Sequence, residues 1–153
     1  MHQQIENVKN TRTFLLTLIE DLSTEQLNQI PEGFNNNIIW NLAHLVAVQQ
    51  AICYKRSGLQ PIVQDKYVTP YLPGTKPEGF MDTSEVEIIK TLMLSSLNEF
   101  ESDYKKSFFT TYTPVVTRYG VALDNIDDAI NFLPFHEGFH IGTVLALKKL
   151  VKL

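Results

Sequence analysis

Asn35-Asn36-Asn37-Ile38-Ile39-Trp40-Asn41-Leu42-Ala43-His44-Leu45-Val46-Ala47-Val48-Gln49-Gln50-Ala51-Ile52 is the stretch on which the fold turns. Any of the three asparagines can cap a helix, because each side chain can accept a hydrogen bond from a free N–H of the first turn. Gly58, after Ser57, suits the left-handed residue that ends one. Between these signals the apolar residues surround nearly the whole circumference. A helix apolar all round is either central or covered by something else. Two covers are open: a second protomer, which implies a homodimer, or the long connection that follows.

Working outward, a first helix is expected over about Gln4 to Asp21, where Ile5, Val8, Phe14, Leu15, Leu18, Ile19 and Leu22 recur near helical period. Ser23-Thr24 and the turn Pro31-Glu32-Gly33 close it. The connection Leu59 to Met81 carries Pro61, Pro70, Pro73, Gly74, Pro77 and Gly79, so it forms no regular helix. Loops of that length in a compact domain are functional or flexible. A third helix begins near Asp82-Thr83-Ser84-Glu85, with Ser84 and Glu87 at capping-box spacing and a stripe of Val86, Ile89, Leu92, Met93, Leu97 and Phe100. Ser107 to Leu123 reads as irregular, with room for a short extended pair. Asp124 or Asn125 caps a fourth helix that ends in Lys148, Lys149 and Lys152, where cations oppose the negative end of the helix dipole. Pro134 is expected to bend or restart that helix. The reading is an all-α single domain over 1–153, a four-helix bundle with long crossover loops.

Composition narrows the function. The chain has 153 residues, a formal net charge of −4, 44% hydrophobic and 20% charged residues. A nucleic-acid or anionic-membrane surface needs a concentrated basic face, and no block of Lys or Arg provides one. No apolar run reaches the length of a membrane span, and no signal peptide is visible. The single cysteine, Cys53, precludes an internal disulfide and fits a reducing compartment, so a cytoplasmic protein is expected.

Of the four histidines, His136 and His140 stand one helical turn apart, so both rings share a face. The pair alone is equally compatible with two hydrogen-bonded core histidines. His44 shifts the balance. It lies mid-way in the most apolar helix, where an unpaired ring costs about 1–3 kcal/mol to bury. Facing helices of a bundle can set one His against a pair. Three imidazoles with an open position form the ligand set of catalytic zinc sites, and nickel or iron are also admitted. His2 has no partner in sequence. Cys53 falls half a turn away from His44 and reads as a small buried apolar residue.

Asn37-Ile38-Ile39-Trp40-Asn41-Leu42-Ala43-His44 and Phe135-His136-Glu137-Gly138-Phe139-His140-Ile141-Gly142 resemble the two signature blocks of the DinB-like superfamily. The resemblance extends along nearly the whole chain. It implies an up-down-down-up bundle, usually dimeric, whose divalent metal is held by His44, His136 and His140. It also implies metal-dependent chemistry on a small molecule, chiefly S-transfer using a low-molecular-weight thiol.

Several neighbours are candidates for supporting roles. Asn41 lies on the His44 side of its helix and either supports a ligand or serves the fold. Asn37 reads as the cap. Glu137 is rotated about 100° from His136; it is expected off the metal, as an outer partner or a general base. Thr143 reads as a core residue bonding its own helix. Gly138 and Gly142 share a face, which suggests close approach of another helix. A metal with three neutral ligands can acidify water, giving a hydrolase, or bind a thiolate, giving a transferase. A third possibility is a non-enzymatic, metal-stabilised, stress-associated dimer.

Overall fold

The computed structural model describes residues 3–152. It contains helices α1 (Gln3–Leu18), α2 (Thr24–Asn28), α3 (Ile38–Gln49), α4 (Thr83–Lys105) and α5 (Ile126–Val151). Strands β1 (Val115–Val116) and β2 (Ala122–Leu123) form a small antiparallel hairpin with Val115 opposite Leu123. Each of the four long helices packs against two others: α1 and α3 both touch α4 and α5.

The caps follow from short polar side chains. Asn37 Oδ1 accepts from Trp40 N at 2.8 Å, so the third asparagine of the run starts α3. Asn125 Oδ1 accepts from Asp128 N at 3.0 Å and starts α5. At α4 the cap is Asp82, which accepts from Glu85 N at 2.9 Å; the Ser84–Glu87 box expected from spacing does not form. The carboxylate two residues earlier offers a stronger, charged acceptor. Ser23 and Gln26 make a true capping box and nucleate α2, a short helix the sequence reading passes over as a turn. Helix α5 runs unbroken through Pro134. One missing N–H is tolerated within so long a ladder, so no restart occurs.

Helix α1 buries Ile5, Val8, Arg12 and Leu15 and is followed by buried Ile19 and Leu22. These are alternating steps of three and four residues, the pattern of one core-facing stripe. Phe14, expected on that stripe, is half exposed, and Arg12 takes a core place instead. Beyond Gln49 the chain stays helical but widens into a π turn (Gln50–Tyr54) and tightens into a 3-10 turn (Lys55–Ser57). Gly58 then ends it at φ 72°, in the left-handed region that glycine enters without strain.

Every residue of α3 is buried within the single chain. The connection after Gly58 supplies the cover. It folds into two 3-10 turns, Asp65–Tyr67 and Thr69–Tyr71, that pack on α3. Gln50 Oε1 accepts from Ile62 N at 2.9 Å at one end of this strap. Asn28 holds the other end, bonding both Met81 N and Met81 O at 2.8 Å. Of the two covers left open by the sequence, the strap is therefore the one that encloses α3.

Candidate metal centre

His44 comes from the middle of α3, and His136 and His140 come from successive turns of α5. One ring nitrogen from each lies within 4.8 Å of the other two, and all three residues are buried. Ring centroids are 4.6 Å apart for His44–His140, 4.7 Å for His136–His140 and 5.2 Å for His44–His136. Trp40 stacks on the outer face of His44 at 4.7 Å, one helical turn before it.

Hydrogen bonds fix two of the tautomers. His44 Nδ1 lies 2.6 Å from Tyr71 O, and a carbonyl only accepts, so Nδ1 carries the proton. Nε2 is then left with a free lone pair. At His140, Nδ1 lies 2.8 Å from Asn41 Oδ1. The Asn41 amide is oriented by its own donor group, which donates to Asn36 Oδ1 and Asn37 O. His140 therefore also donates through Nδ1 and offers Nε2. Such outer acceptors are what fix the ring of a metal-ligating histidine. His136 Nδ1 is buried with no partner among the described residues. Three neutral imidazoles with converging ring nitrogens fit a divalent ion of borderline softness.

Electrostatics points the same way. Burial pushes His136 down to about 2, helped by the neighbouring His140, His44 and Arg12. Burial and His44 bring His140 down to about 3. His44 is also lowered, by burial and by Arg118, against the pull of the Tyr71 carbonyl. The rings are thus held neutral and ready to ligate. Unfolded imidazoles take up protons below about 6.5. The unfolded chain therefore binds more protons than the folded one from there down to about 3, and acid favours unfolding. Metal-free protein should be fully stable above about pH 6.5 and lose stability as pH falls toward 5, before the lowered carboxyls of Asp21 and Glu101 begin to titrate. Urea unfolding followed by circular dichroism at stepped pH measures this. A flat profile between pH 7 and 5 would contradict neutral, buried rings.

The structure places the other candidates as follows. Asn41 sits on the helix of His44 but supports His140 across the helix interface. Glu137 turns away from the triad into the interior, where it is fully buried and paired with Arg12 at 2.8 Å. Burial raises its carboxyl while the guanidinium holds it down. Thr143 bonds Phe139 O on its own helix. Cys53 is buried among Ile5, Val8 and Phe100, and burial drives its thiol strongly upward, so it is no thiolate ligand. His2 lies outside the described residues. Phe132, Phe139 and Tyr119 line the triad's flank: Phe132 is 5.9 Å from His136, Phe139 is 5.5 Å from His140, and Tyr119 contacts both phenylalanines.

A protein-family model described as the DinB superfamily matches residues 8–144, spanning all three histidines. The chain belongs to the DinB superfamily. No curated protein and no solved structure matches it significantly. Superfamily membership and the geometry agree on a site that could hold a metal ion.

One buried charged residue escapes the sequence reading altogether. Arg12 carries a permanent charge and invites assignment to the surface. Its signal is positional: it occupies the middle of the series 5, 8, 12, 15, 19, 22, whose every other member is aliphatic.

Proposed function

We propose that this DinB-superfamily protein is a metal-dependent enzyme acting on a small molecule, specifically an S-transferase that uses a low-molecular-weight thiol. The observation that carries the reading is the count of ligands. Three buried histidines converge, and no fourth His, Cys, Asp or Glu joins them among the described residues. Structural zinc sites are closed by four protein ligands, whereas catalytic ones keep a position open. When bound, zinc, or nickel or iron in its place, supplies a Lewis acid that acidifies a thiol or a water at that position.

The chain's own residues do the remainder. Tyr71 O and Asn41 Oδ1 hold two imidazoles in the ligating tautomer. Trp40, Phe132 and Phe139 wall the rings and keep bulk water from them. Arg118, on the hairpin turn, places a positive charge close enough to bear on His44. A cation near the site favours a bound thiolate over the neutral thiol, and equally a bound hydroxide over water, so it suits an anionic nucleophile of either kind. The test is a titration of cobalt-loaded protein with a small thiol. Sulfur binding should bring in an intense near-ultraviolet charge-transfer band. A loaded protein whose spectrum ignores thiols, yet which cleaves ester or amide probes, would establish the hydrolase in its place.

The proposed assembly is an up-down-down-up four-helix bundle forming a homodimer. With α3 covered by the strap, the support for a dimer moves to α5. Phe135 and Phe139 are about half exposed there, and nothing lies within 4 Å of a Cβ placed on Gly138 or Gly142. Helix-interior glycines cost about 1 kcal/mol each relative to Ala, and close approach of a second copy would offset that. Gly142→Leu should therefore yield a well-folded monomer in sedimentation equilibrium. A wild-type chain that sediments as a monomer at all concentrations would sink the dimer.

A further inference from the structure

Besides the histidine site, the four long helices contribute a buried polar layer to their shared interior. There α1 supplies Arg12, α3 supplies Gln49, α4 supplies Ser96 and α5 supplies Glu137, all of them buried. Arg12 Nε donates to Glu137 Oε1 at 2.9 Å. One terminal nitrogen of the guanidinium donates to Leu45 O at 2.9 Å, and the other to Met93 O at 3.0 Å and, more distantly, to Gln49 Oε1 at 3.5 Å. Ser96 Oγ donates to the same Gln49 oxygen at 3.0 Å. The layer separates two apolar clusters. Leu15, Ile19 and Met93 lie in one, and Ile5, Val8 and Leu97 lie in the other.

Two of these contacts fall beside metal-site residues. Leu45 follows His44 directly, and Glu137 follows His136 directly. A single rigid guanidinium therefore grips the backbone of α3 and the side chain of α5 one residue past a ligand on each. Among the described residues, no other hydrogen bond ties those two positions together from a third helix. We infer that Arg12 is the positioning residue of the histidine site: its fork fixes the register of α3 against α5 and thereby the convergence of His44 with His136 and His140.

Stability alone is a weak reason for the layer. Replacing a buried ion pair by apolar residues of similar volume is often neutral or stabilising. Here the pair is also imperfect, since Glu137 Oε2 has no partner among the described residues. Apolar side chains can slide past one another at modest cost, whereas a five-donor fork is satisfied in only one register. Buried polar groups are best attested in such a role, as keys to register.

The inference rests on the reading of the triad as a metal site, and the test separates the two. Metal-free wild type, Arg12→Met/Glu137→Leu, Arg12→Lys and the control Ile5→Val are each titrated with cobalt(II) against a competing chelator, and Tm is measured without metal. The double variant should match or exceed the wild-type Tm and yet bind cobalt about 10–100-fold more weakly, the range typical for losing a group that orients a ligand. Its visible cobalt bands should shift as well. Arg12→Lys keeps the charge without the fork and should fall between wild type and the double variant. Ile5→Val should bind as wild type does. Wild-type affinity in the double variant, whatever its Tm, overturns the inference, because a merely structural layer would move Tm alone. If the double variant fails to fold, Arg12→Lys decides: weaker binding supports the inference and wild-type affinity overturns it. A wild type that takes up no cobalt overturns the metal site itself and the positioning role with it, and that result is visible before any substitution is compared.

Discussion

His44→Ala is expected to lower affinity for a divalent ion by more than about 100-fold, beyond the range seen on losing an outer partner of a ligand. The reason is geometric. His136 and His140 come from one helix and can form a two-point contact at most, whereas His44 alone brings a donor from α3. The fold should survive. The substitution removes a buried ring, its stack on Trp40 and the donor to Tyr71 O. An unsatisfied buried carbonyl costs about 1–3 kcal/mol, within the margin of an ordinary domain. Trp40 is the protein's only tryptophan, so its fluorescence reports the site directly. Copper or cobalt should quench it at stoichiometric concentration in wild type and only at large excess in His44→Ala. Equal titration curves for the two proteins would remove His44 from the site.

The second large effect is on stability. Arg12→Ala leaves the Glu137 carboxylate fully buried without its counter-ion and strips donors from Leu45 O and Met93 O. Breaking one side of a buried pair costs about 3–5 kcal/mol, much more than the pair as a whole contributes. Against a typical total of about 5–15 kcal/mol, that is a large fraction. Urea denaturation should show the midpoint falling accordingly. Arg12→Met/Glu137→Leu, which removes both charges, should return the midpoint to the wild-type value or above it. A single variant that loses less than about 1 kcal/mol would mean the pair is not desolvated as the structure shows.

Much of the site was legible because its signals are local. The one-turn spacing of His136 and His140 places them on one face of any helix, and a histidine inside Ile38–Val48 has few ways to be satisfied. The caps Asn37 and Asn125 were similarly local. What escaped depends on contacts distant in sequence. Tyr71 O is far along the chain from His44, and nothing in the Pro-rich connection announces that it folds into 3-10 turns over α3. Arg12 was invisible to a hydrophobic count because its charge outweighs its position, and Glu137 could not be assigned without it. Phe14 was misplaced by the same route, since period alone does not distinguish the stripe from its edge.

The central claim is that His44, His136 and His140 hold one divalent ion. Elemental analysis of protein purified without a nickel column tests it most directly. Wild type should carry about one equivalent of a transition metal per chain, and His44→Ala and His136→Ala should each carry almost none. Wild type that remains metal-free after incubation with zinc, nickel, iron and cobalt, or a His44→Ala variant that keeps its full equivalent, would contradict it.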